Sequence, residues 1–192
     1  MHDVCVQNLP VTFCVDRAGI VGEDGVTHQG AFDIPFLRHI PNMTVLAPKD
    51  EEELRRALLT SLQHDGPLAI RYPRGQGDGV PLTDDERVLP QNEMECLLEG
   101  EGEIAVVCAG PIVHEALAAA KAIARDTDKT IGVYNIRWVK PLPSTDLVAL
   151  AKRCSVLFFA EEGALEGGFG SAALECLADA GVSPDLAVRR IG

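Results

Sequence analysis

Short apolar runs of strand length alternate with longer segments of helical period along most of this 192-residue chain. The first three runs are LPVTFCV (9–15), MTVLAP (43–48) and GPLAIRYP (66–73). An amphipathic segment, 49–64, separates the second run from the third, and Asp50 is in position to cap it. Such alternation is typical of a mostly parallel sheet covered by helices, so the pattern predicts an α/β fold.

A second series of the same kind follows residue 102. Its predicted strands are 103–110, 130–136, 155–162 and 186–192, and its predicted helices are 112–125, 144–152 and 167–180. Residues 75–102 carry glycines, prolines and acids without a sustained period, which is typical of a linker. We therefore predict two three-layer α/β units with mostly parallel sheets, at 1–79 and 103–192, joined by a linker at 80–102.

Both ends of the chain are expected to be truncated, because it ends on a predicted strand and begins within a predicted helix over residues 1–8. The formal net charge of -12 opposes binding to a phosphate backbone or an anionic membrane. Six cysteines without a C-x-x-C pair favour free thiols in a reducing cytosol, and no apolar stretch is long enough to span a bilayer. The composition predicts a cytoplasmic protein with neither nucleic acid nor membrane as partner.

Two predicted strand ends carry polar segments that suit a ligand. CVDRAGIVGEDGVTHQG follows the first strand and contains Arg17, Asp24 and His28, and IRYPRGQGDG at the third strand contains Arg71 and Arg74. Ligands of such sheets gather at the carboxyl ends of strands. Converging guanidiniums bind phosphate or carboxylate, and a histidine near an aspartate suits proton transfer or the stabilisation of an oxyanion. No metal-ligand spacing is present, so no metal site is predicted.

Each feature also has a purely structural interpretation. The glycines of these segments can serve turns with positive φ, Asp24 and His28 can form an ordinary loop pair, and the arginines can form surface ion pairs. The run GALEGGFGSA (163–172) does not match the G-x-G-x-x-G pattern of a dinucleotide site and more simply opens a helix.

Longer motifs carry a resemblance to a known family. DRAGIVGEDGVTHQGAFDIPFLRHIPNMTVLAPKDEEELRRAL, DGPLAIRYPRG, IRWVKPL and EEGALEGGFGSAALECLAD together resemble the 1-deoxy-D-xylulose-5-phosphate synthase family, thiamine-diphosphate enzymes of the transketolase superfamily. The resemblance covers essentially the whole chain. It implies a partial transketolase pyrimidine-binding domain followed by a transketolase C-terminal domain truncated at its end.

The resemblance implies a transferase that condenses pyruvate with D-glyceraldehyde 3-phosphate to 1-deoxy-D-xylulose 5-phosphate and CO2. That reaction feeds isoprenoid, thiamine and pyridoxal synthesis. By resemblance, Asp24 and His28 line the substrate channel as catalytic residues, whereas Arg17 and Arg71 hold the substrate phosphate. Arg74 is carried over as a substrate-binding residue that can also brace its loop.

The chain also departs from the family, whose members are more than three times as long. The glutamate that activates the cofactor and the Mg²⁺ site for its diphosphate have no candidates here, so the isolated chain is expected to be inactive. The intact enzyme is expected to be a homodimer that uses thiamine diphosphate and Mg²⁺. The alternatives are a non-catalytic assembly module or split transketolase-like subunit, and the β-subunit of a 2-oxo acid dehydrogenase, which fits the motifs RYPRG and THQG poorly.

Overall fold

A computed structural model describes residues 1–182 and 185–192, and these residues form nine strands and five helices. The elements before residue 80 are β1 (Thr12–Val15), α1 (Asp33–His39), β2 (Thr44–Leu46), α2 (Glu51–Ser61) and β3 (Leu68–Arg71). The later elements are β4 (Glu95–Leu98), β5 (Ile104–Ala109), α3 (Ile112–Asp126), β6 (Gly132–Asn135), β7 (Trp138–Lys140), α4 (Ser144–Ala151), β8 (Val156–Glu161), α5 (Phe169–Asp179) and β9 (Ala187–Ile191).

The strands form two sheets. The first has the order β1-β3-β2-β7, and the second has the order β4-β6-β5-β8-β9. Pairing is parallel throughout except for β7 against β2 and β4 against β6. The predicted α/β class with mostly parallel sheets is therefore confirmed. No helix in the described parts of the chain is long and apolar enough to cross a membrane.

Strand β7 belongs to the first sheet although it lies in the second half of the chain. It runs antiparallel to β2, with Trp138 opposite Leu46. The Trp138 ring is 1% exposed, and its Nε1 donates to the carbonyl of Pro90 at 2.8 Å. The sequence analysis missed β7 because three residues are too few for a recognisable strand pattern.

Three local expectations differ from the structure. The helix predicted over residues 1–8 is wrong, because this segment forms successive turns that end at Asn8, with a φ of 51°, two residues before Pro10. Helix α1 was not predicted. It carries Pro35 in its first turn, where a missing N–H costs little. Strand β4 lies within the predicted linker and pairs with β6.

Helix α2 begins as its sequence indicates. The Asp50 side chain accepts the backbone N–H of Glu53 at 2.7 Å, and three glutamates occupy the first turn, at the positive end of the helix dipole. The cap fixes the direction in which the chain leaves β2. It thereby also holds Lys49 and Glu53 at the junction of the two sheets.

One apolar cluster includes residues of both sheets, so the two halves of the chain share a core. It includes Val45 and Ala69 from the first sheet and Val107 and Phe159 from the second. Phe159 meets Phe169 of α5 edge to face, with ring centroids 5.7 Å apart. Burial of each large apolar side chain contributes about 1.5–3 kcal/mol, so this shared core fixes the sheets against each other.

Candidate functional site

The carboxyl ends of β1 and β3 lie side by side, which brings two distant segments together. Val15 is the register partner of Arg71 in this parallel pair. Just beyond, the Ala18 N–H donates to the carbonyl of Tyr72 at 3.0 Å. The loop that follows β1 (residues 17–30, here the 17–30 loop) and the segment that follows β3 therefore start from one edge of the sheet.

The 17–30 loop is closed at its base by two glycines. The Gly19 N–H donates to the carbonyl of Gly30 at 3.1 Å, and the Gly30 N–H donates to the carbonyl of Gly19 at 2.9 Å. A Cβ on Gly30 would lie 2.0 Å from the carbonyl oxygen of Arg17, so a larger residue does not fit there. Gly19 has a φ of 77°, which favours glycine. Gly19 and Gly30 thus allow the two ends of the loop to approach closely, which agrees with the interpretation of the glycines as turn residues.

Gln29 ties the inside of the loop together. Its Oε1 accepts the Val21 N–H at 2.5 Å, and its Nε2 donates to the carbonyls of Val21 at 2.9 Å and Gly25 at 2.6 Å. The Gln29 side chain thus satisfies backbone N–H and C=O groups that have no helix or strand partner in the loop. Gln29 belongs to the motif THQG, but its spacing in the sequence does not indicate this role.

Asp24 links two of the predicted arginines. Its Oδ2 accepts Arg17 Nε at 2.6 Å, and its Oδ1 accepts Arg74 Nη1. The hydrogen bond from Arg17 holds the pKa of Asp24 below its usual range, and the same bond raises the pKa of Arg17. Arg17 has a left-handed backbone, with a φ of 63°, and its Nη1 also contacts Asp16 at 2.5 Å. The structure therefore joins Arg17, Asp24 and Arg74 in one cluster, here the Asp24 cluster.

The Asp24 cluster is accessible from solvent. The side chains of Arg17 and Arg74 are 33% and 47% exposed, whereas that of Asp24 is 11% exposed. An arginine presents five N–H donors in a planar fork, so these two guanidiniums have donors beyond those that Asp24 uses. Because the carboxylate already sits between two guanidiniums, the arrangement suits a second anion beside it or in its place.

His28 lies on the same loop with its ring exposed. Its Nδ1 is 2.9 Å from Thr27 Oγ1. Both carboxylate oxygens of Asp24 accept from the two arginines, so the structure has an aspartate–arginine cluster in place of the ordinary Asp24–His28 loop pair that was the structural alternative. The ring nevertheless stays on the loop that carries Arg17 and Asp24.

Arg71 has a different environment from the other two arginines. Its side chain is 1% exposed, and its Nε donates to Asp33 Oδ2 at 2.7 Å. Its Nη2 donates to the carbonyls of Gly30, at 3.0 Å, and Glu162. Arg71 therefore joins β3, the base of the 17–30 loop and the segment after β8. Sequence reasoning missed Asp33 and Glu162, because nothing in a linear pattern indicates which carboxylate or carbonyl faces a buried arginine.

A cavity of about 370 Å³ adjoins Arg74. Its walls include the apolar parts of Pro48, Leu54, Tyr72, Pro73 and Pro111. Burial raises the pKa of Tyr72 further above neutral pH, so the hydroxyl is protonated there. Its lining also includes Lys49 and three acidic residues, Asp50, Glu51 and Asp78, so the cavity itself does not favour an anion.

The donors of this site suit anions and not a divalent cation. Among residues 1–182 and 185–192, no group of three or more His, Cys, Asp or Glu side chains is placed to hold a metal ion. The Asp24 cluster offers a single carboxylate, and both of its oxygens already accept from guanidiniums, so this cluster is not suited to Mg²⁺.

Comparisons with known proteins agree with the motifs. The family model "Transketolase, pyrimidine binding domain" matches residues 1–78, and "Transketolase, C-terminal domain" matches residues 94–192. The 1-deoxy-D-xylulose-5-phosphate synthase of Nitratidesulfovibrio vulgaris (strain DP4) is 53% identical over 192 residues. In Geobacter sulfurreducens, 1-deoxy-D-xylulose-5-phosphate synthase 1 is 50% identical over 191 residues. Each match covers 100% of this chain and 30% of the relative.

A solved structure described as "Split gene transketolase, inactive beta4 tetramer" has a TM-score of 0.83 and 28% sequence identity. The match covers 98% of this chain and 59% of that chain. The resemblance predicted from the motifs is thus confirmed over the whole sequence, and the chain spans about 30% of the length of the curated relatives that it matches. The chain belongs to the transketolase family.

Proposed function

We propose that this chain is the C-terminal part of a thiamine-diphosphate-dependent 1-deoxy-D-xylulose-5-phosphate synthase. This transferase condenses pyruvate with D-glyceraldehyde 3-phosphate, releases CO2 and begins non-mevalonate isoprenoid synthesis. The names of the relatives support the reaction. The Asp24 cluster carries the proposal for this chain, because two accessible guanidiniums that share one carboxylate are suited to a phosphorylated substrate.

In this proposal Arg17 and Arg74 bind the phosphate of D-glyceraldehyde 3-phosphate. Both arginine side chains are partly exposed. Arg17 bonds one carboxylate oxygen of Asp24, and Arg74 bonds the other. A phosphate group carries more charge than the carboxylate and has three oxygens for the two planar forks. Asp24 keeps the arginines oriented while the site is empty, and it takes part in positioning substrate when the site is filled.

In this proposal His28 donates protons to the substrate oxygens and accepts protons from them. Its ring is exposed on the same loop as Arg17 and Asp24, and an imidazole exchanges protons near neutral pH. Thiamine diphosphate supplies the carbanion chemistry of the reaction when it is bound. We place the residues that hold the cofactor and Mg²⁺ mainly outside this chain, in an intact homodimeric enzyme of the cytoplasm that has neither nucleic acid nor membrane as partner.

Arg71 receives a different role from the one that the sequence predicts. The sequence predicts that Arg71 binds the substrate phosphate together with Arg17. Its burial and its bonds to Asp33 and Gly30 instead support a role in holding the 17–30 loop. Phosphate binding is therefore assigned to Arg17 and Arg74.

A hybrid enzyme tests the phosphate assignment. In it, this chain replaces the matching 30% of the N. vulgaris relative. We expect Arg17→Ala to raise the KM for D-glyceraldehyde 3-phosphate about tenfold or more, with little change in the KM for pyruvate. Arg189→Ala is the matched control, since Arg189 is an exposed arginine on β9. Equal effects of Arg17→Ala on both substrates would contradict the assignment.

The isolated 192-residue chain is proposed to form no product. The solved relative described as a split-gene transketolase favours a second candidate, a split subunit that assembles with a separate partner. Mixing this chain with the separately expressed N-terminal two thirds of the N. vulgaris relative distinguishes the two. Activity restored by mixing supports the split subunit, activity found only in the covalent hybrid supports the single-chain enzyme, and product from the chain alone contradicts both.

A further inference from the structure

We propose that Arg71 is a positioning residue, through which the segment after β8 holds the 17–30 loop in its anion-binding geometry. The inference rests on the proposed function, because it concerns the same loop. It assigns to the C-terminal transketolase domain a role in substrate binding that is exerted from outside the site.

The first contact joins Arg71 to the base of the loop. The carbonyl of Gly30 accepts two donors, Arg71 Nη2 at 3.0 Å and the N–H of Gly19 at 3.1 Å. The same Arg71 Nη2 donates to the carbonyl of Glu162, and Asp33 holds Nε. One buried guanidinium thus connects the loop base to a segment more than 130 positions away along the chain from Gly30.

The segment after β8 also touches the loop base directly. A Cβ on Gly19 would lie 3.0 Å from the Cβ of Glu162, so the Glu162 side chain packs closely against Gly19. The Ala164 N–H donates to the carbonyl of Ala31 at 2.7 Å, next to the loop. Glu162 is therefore linked to both ends of the loop. Its side chain packs against Gly19, and its carbonyl accepts from the same Arg71 Nη2 that donates to the carbonyl of Gly30.

The start of α5 makes this segment rigid. Glu161 is 3% exposed, and its two carboxylate oxygens accept the N–H groups of Phe169 at 2.7 Å and Gly170 at 2.8 Å. These bonds fix the end of β8 to the first turn of a helix packed in the shared core. The connection runs from α5 through Glu161 and Glu162 to Arg71 and so to the loop base.

Arg71→Lys separates positioning from core packing. Lysine keeps the positive charge next to Asp33, but its single ammonium cannot reproduce the planar fork that bonds Asp33 and two carbonyls together. Arg56→Lys is the matched control. Arg56 lies on α2 and also donates to two carbonyls, those of Arg87 and Val88, and its hydrogen bonds within the described residues do not reach the 17–30 loop.

Amide hydrogen exchange of the 192-residue chain tests the proposal. We expect Arg71→Lys to reduce protection of the Gly19 and Gly30 amides about tenfold, while protection in β5 and α3 stays within about twofold of the wild type. Asp33→Asn should change the same amides in the same direction. Arg56→Lys should leave them unchanged. Unaltered protection at Gly19 and Gly30, or a loss of protection spread over the whole chain, would overturn the proposal.

Kinetics of the hybrid enzyme give an independent readout. Arg71→Lys should raise the KM for D-glyceraldehyde 3-phosphate more than it lowers kcat, because the loop is displaced and no reacting group is removed. A fall in kcat with an unchanged KM would overturn the positioning role. The exchange measurement requires no substrate, so its result stands even if the wild type fails to use this aldehyde, an outcome that would reject the proposed function alone.

Discussion

Arg137 and Arg17 both have left-handed backbones, with φ values of 40° and 63°, and both bond a carboxylate through Nε. The bond from Arg137 to Glu53 measures 2.7 Å, and the bond from Arg17 to Asp24 measures 2.6 Å. Their surroundings differ. The side chains of Arg137 and Glu53 are 7% and 2% exposed, whereas that of Arg17 is 33% exposed.

The charged groups around Arg137 have protein partners on several sides. Arg137 Nη2 donates to Glu95 at 2.7 Å, and the amide of Asn135 donates to both oxygens of Glu53 and to Glu95. Lys49 Nζ lies 3.1 Å from Glu95. Buried charges require such partners, and this network fastens α2 to β4 and β6 across the two sheets.

The side chains of the Asp24 cluster have fewer protein partners than those around Arg137, and the two arginines of the cluster are more exposed to solvent. Two guanidiniums share one carboxylate, and both arginine side chains are partly exposed to water. The comparison teaches that burial and completeness of partners separate a structural ion network from a ligand site, although both carry the same residue types and similar strain.

The largest effect is expected from Arg137→Met, which tests whether the buried network is structural. It leaves the buried Glu53 without the guanidinium that bonds it at 2.7 Å, so we expect a loss of about 3–5 kcal/mol in the free energy of unfolding. Urea unfolding followed by circular dichroism measures the loss. Arg17→Met in the open cluster is the control and should leave stability nearly unchanged. Equal losses in both variants would remove the distinction.

A smaller loss of stability is expected from Gly30→Ala, which tests whether the base of the 17–30 loop needs a glycine. The new Cβ meets the carbonyl oxygen of Arg17, so the base must open, at a cost of about 1–3 kcal/mol in stability. Gly22→Ala is the control, because a Cβ on Gly22 has no heavy atom within 4 Å. Thermal unfolding compares the two variants. A Gly30→Ala protein as stable as Gly22→Ala would show that the base does not need the close backbone approach.

A pH dependence distinguishes the buried network further. Burial raises the pKa of Glu95, but bonds from Asn135, Lys49 and Arg137 outweigh it and hold the pKa below its usual range. A depressed carboxylate pKa gives stability that is present above about pH 4.3 and is lost as the pH falls through the folded-state pKa. The stability difference between the wild type and Glu95→Gln should therefore shrink from pH 6 to pH 3. A constant difference over this range would contradict a charged Glu95.

The smallest effect on stability is expected from Arg74→Ala. The Arg74 side chain is partly exposed and, within the described residues, forms its hydrogen bond with Asp24, so its loss should leave the melting temperature unchanged within error. The same substitution should weaken binding of glycerol 3-phosphate to the chain about tenfold. Calorimetry and thermal unfolding on one preparation check both statements, and a stability loss as large as that of Arg137→Met would refute them.

The sequence predicted the elements with a strong period and missed those set by tertiary contacts. Helix α2 has its cap, its acidic first turn and its apolar stripe in the sequence, so it was predicted within a few residues. Strand β7 has three residues and is a strand because β2 lies beside it. Its sheet lies in the other half of the chain, which no local pattern specifies.

The arrangement of the candidate site was predicted only in part. The polar segments after β1 and β3 were identified from the sequence, whereas the pairing of these two strands, which brings Arg17, Asp24 and Arg74 together, is seen only in the structure. The difference between Arg71 and Arg74 was not predictable, although they stand three residues apart. Arg71 ends β3 and is directed into the junction of the sheets, whereas Arg74 lies beyond the strand and reaches Asp24.

The direct test is to observe the arginine side chains themselves while an anion binds. Nitrogen-15 spectra of the Nε–Hε groups are recorded as glycerol 3-phosphate is added to the 192-residue chain, with glycerol as the uncharged control. We predict that the Arg17 and Arg74 signals shift with glycerol 3-phosphate only, while the Arg71 and Arg137 signals stay in place. Shifts of Arg71 without Arg17, or equal shifts with glycerol, would contradict a phosphate site at the Asp24 cluster.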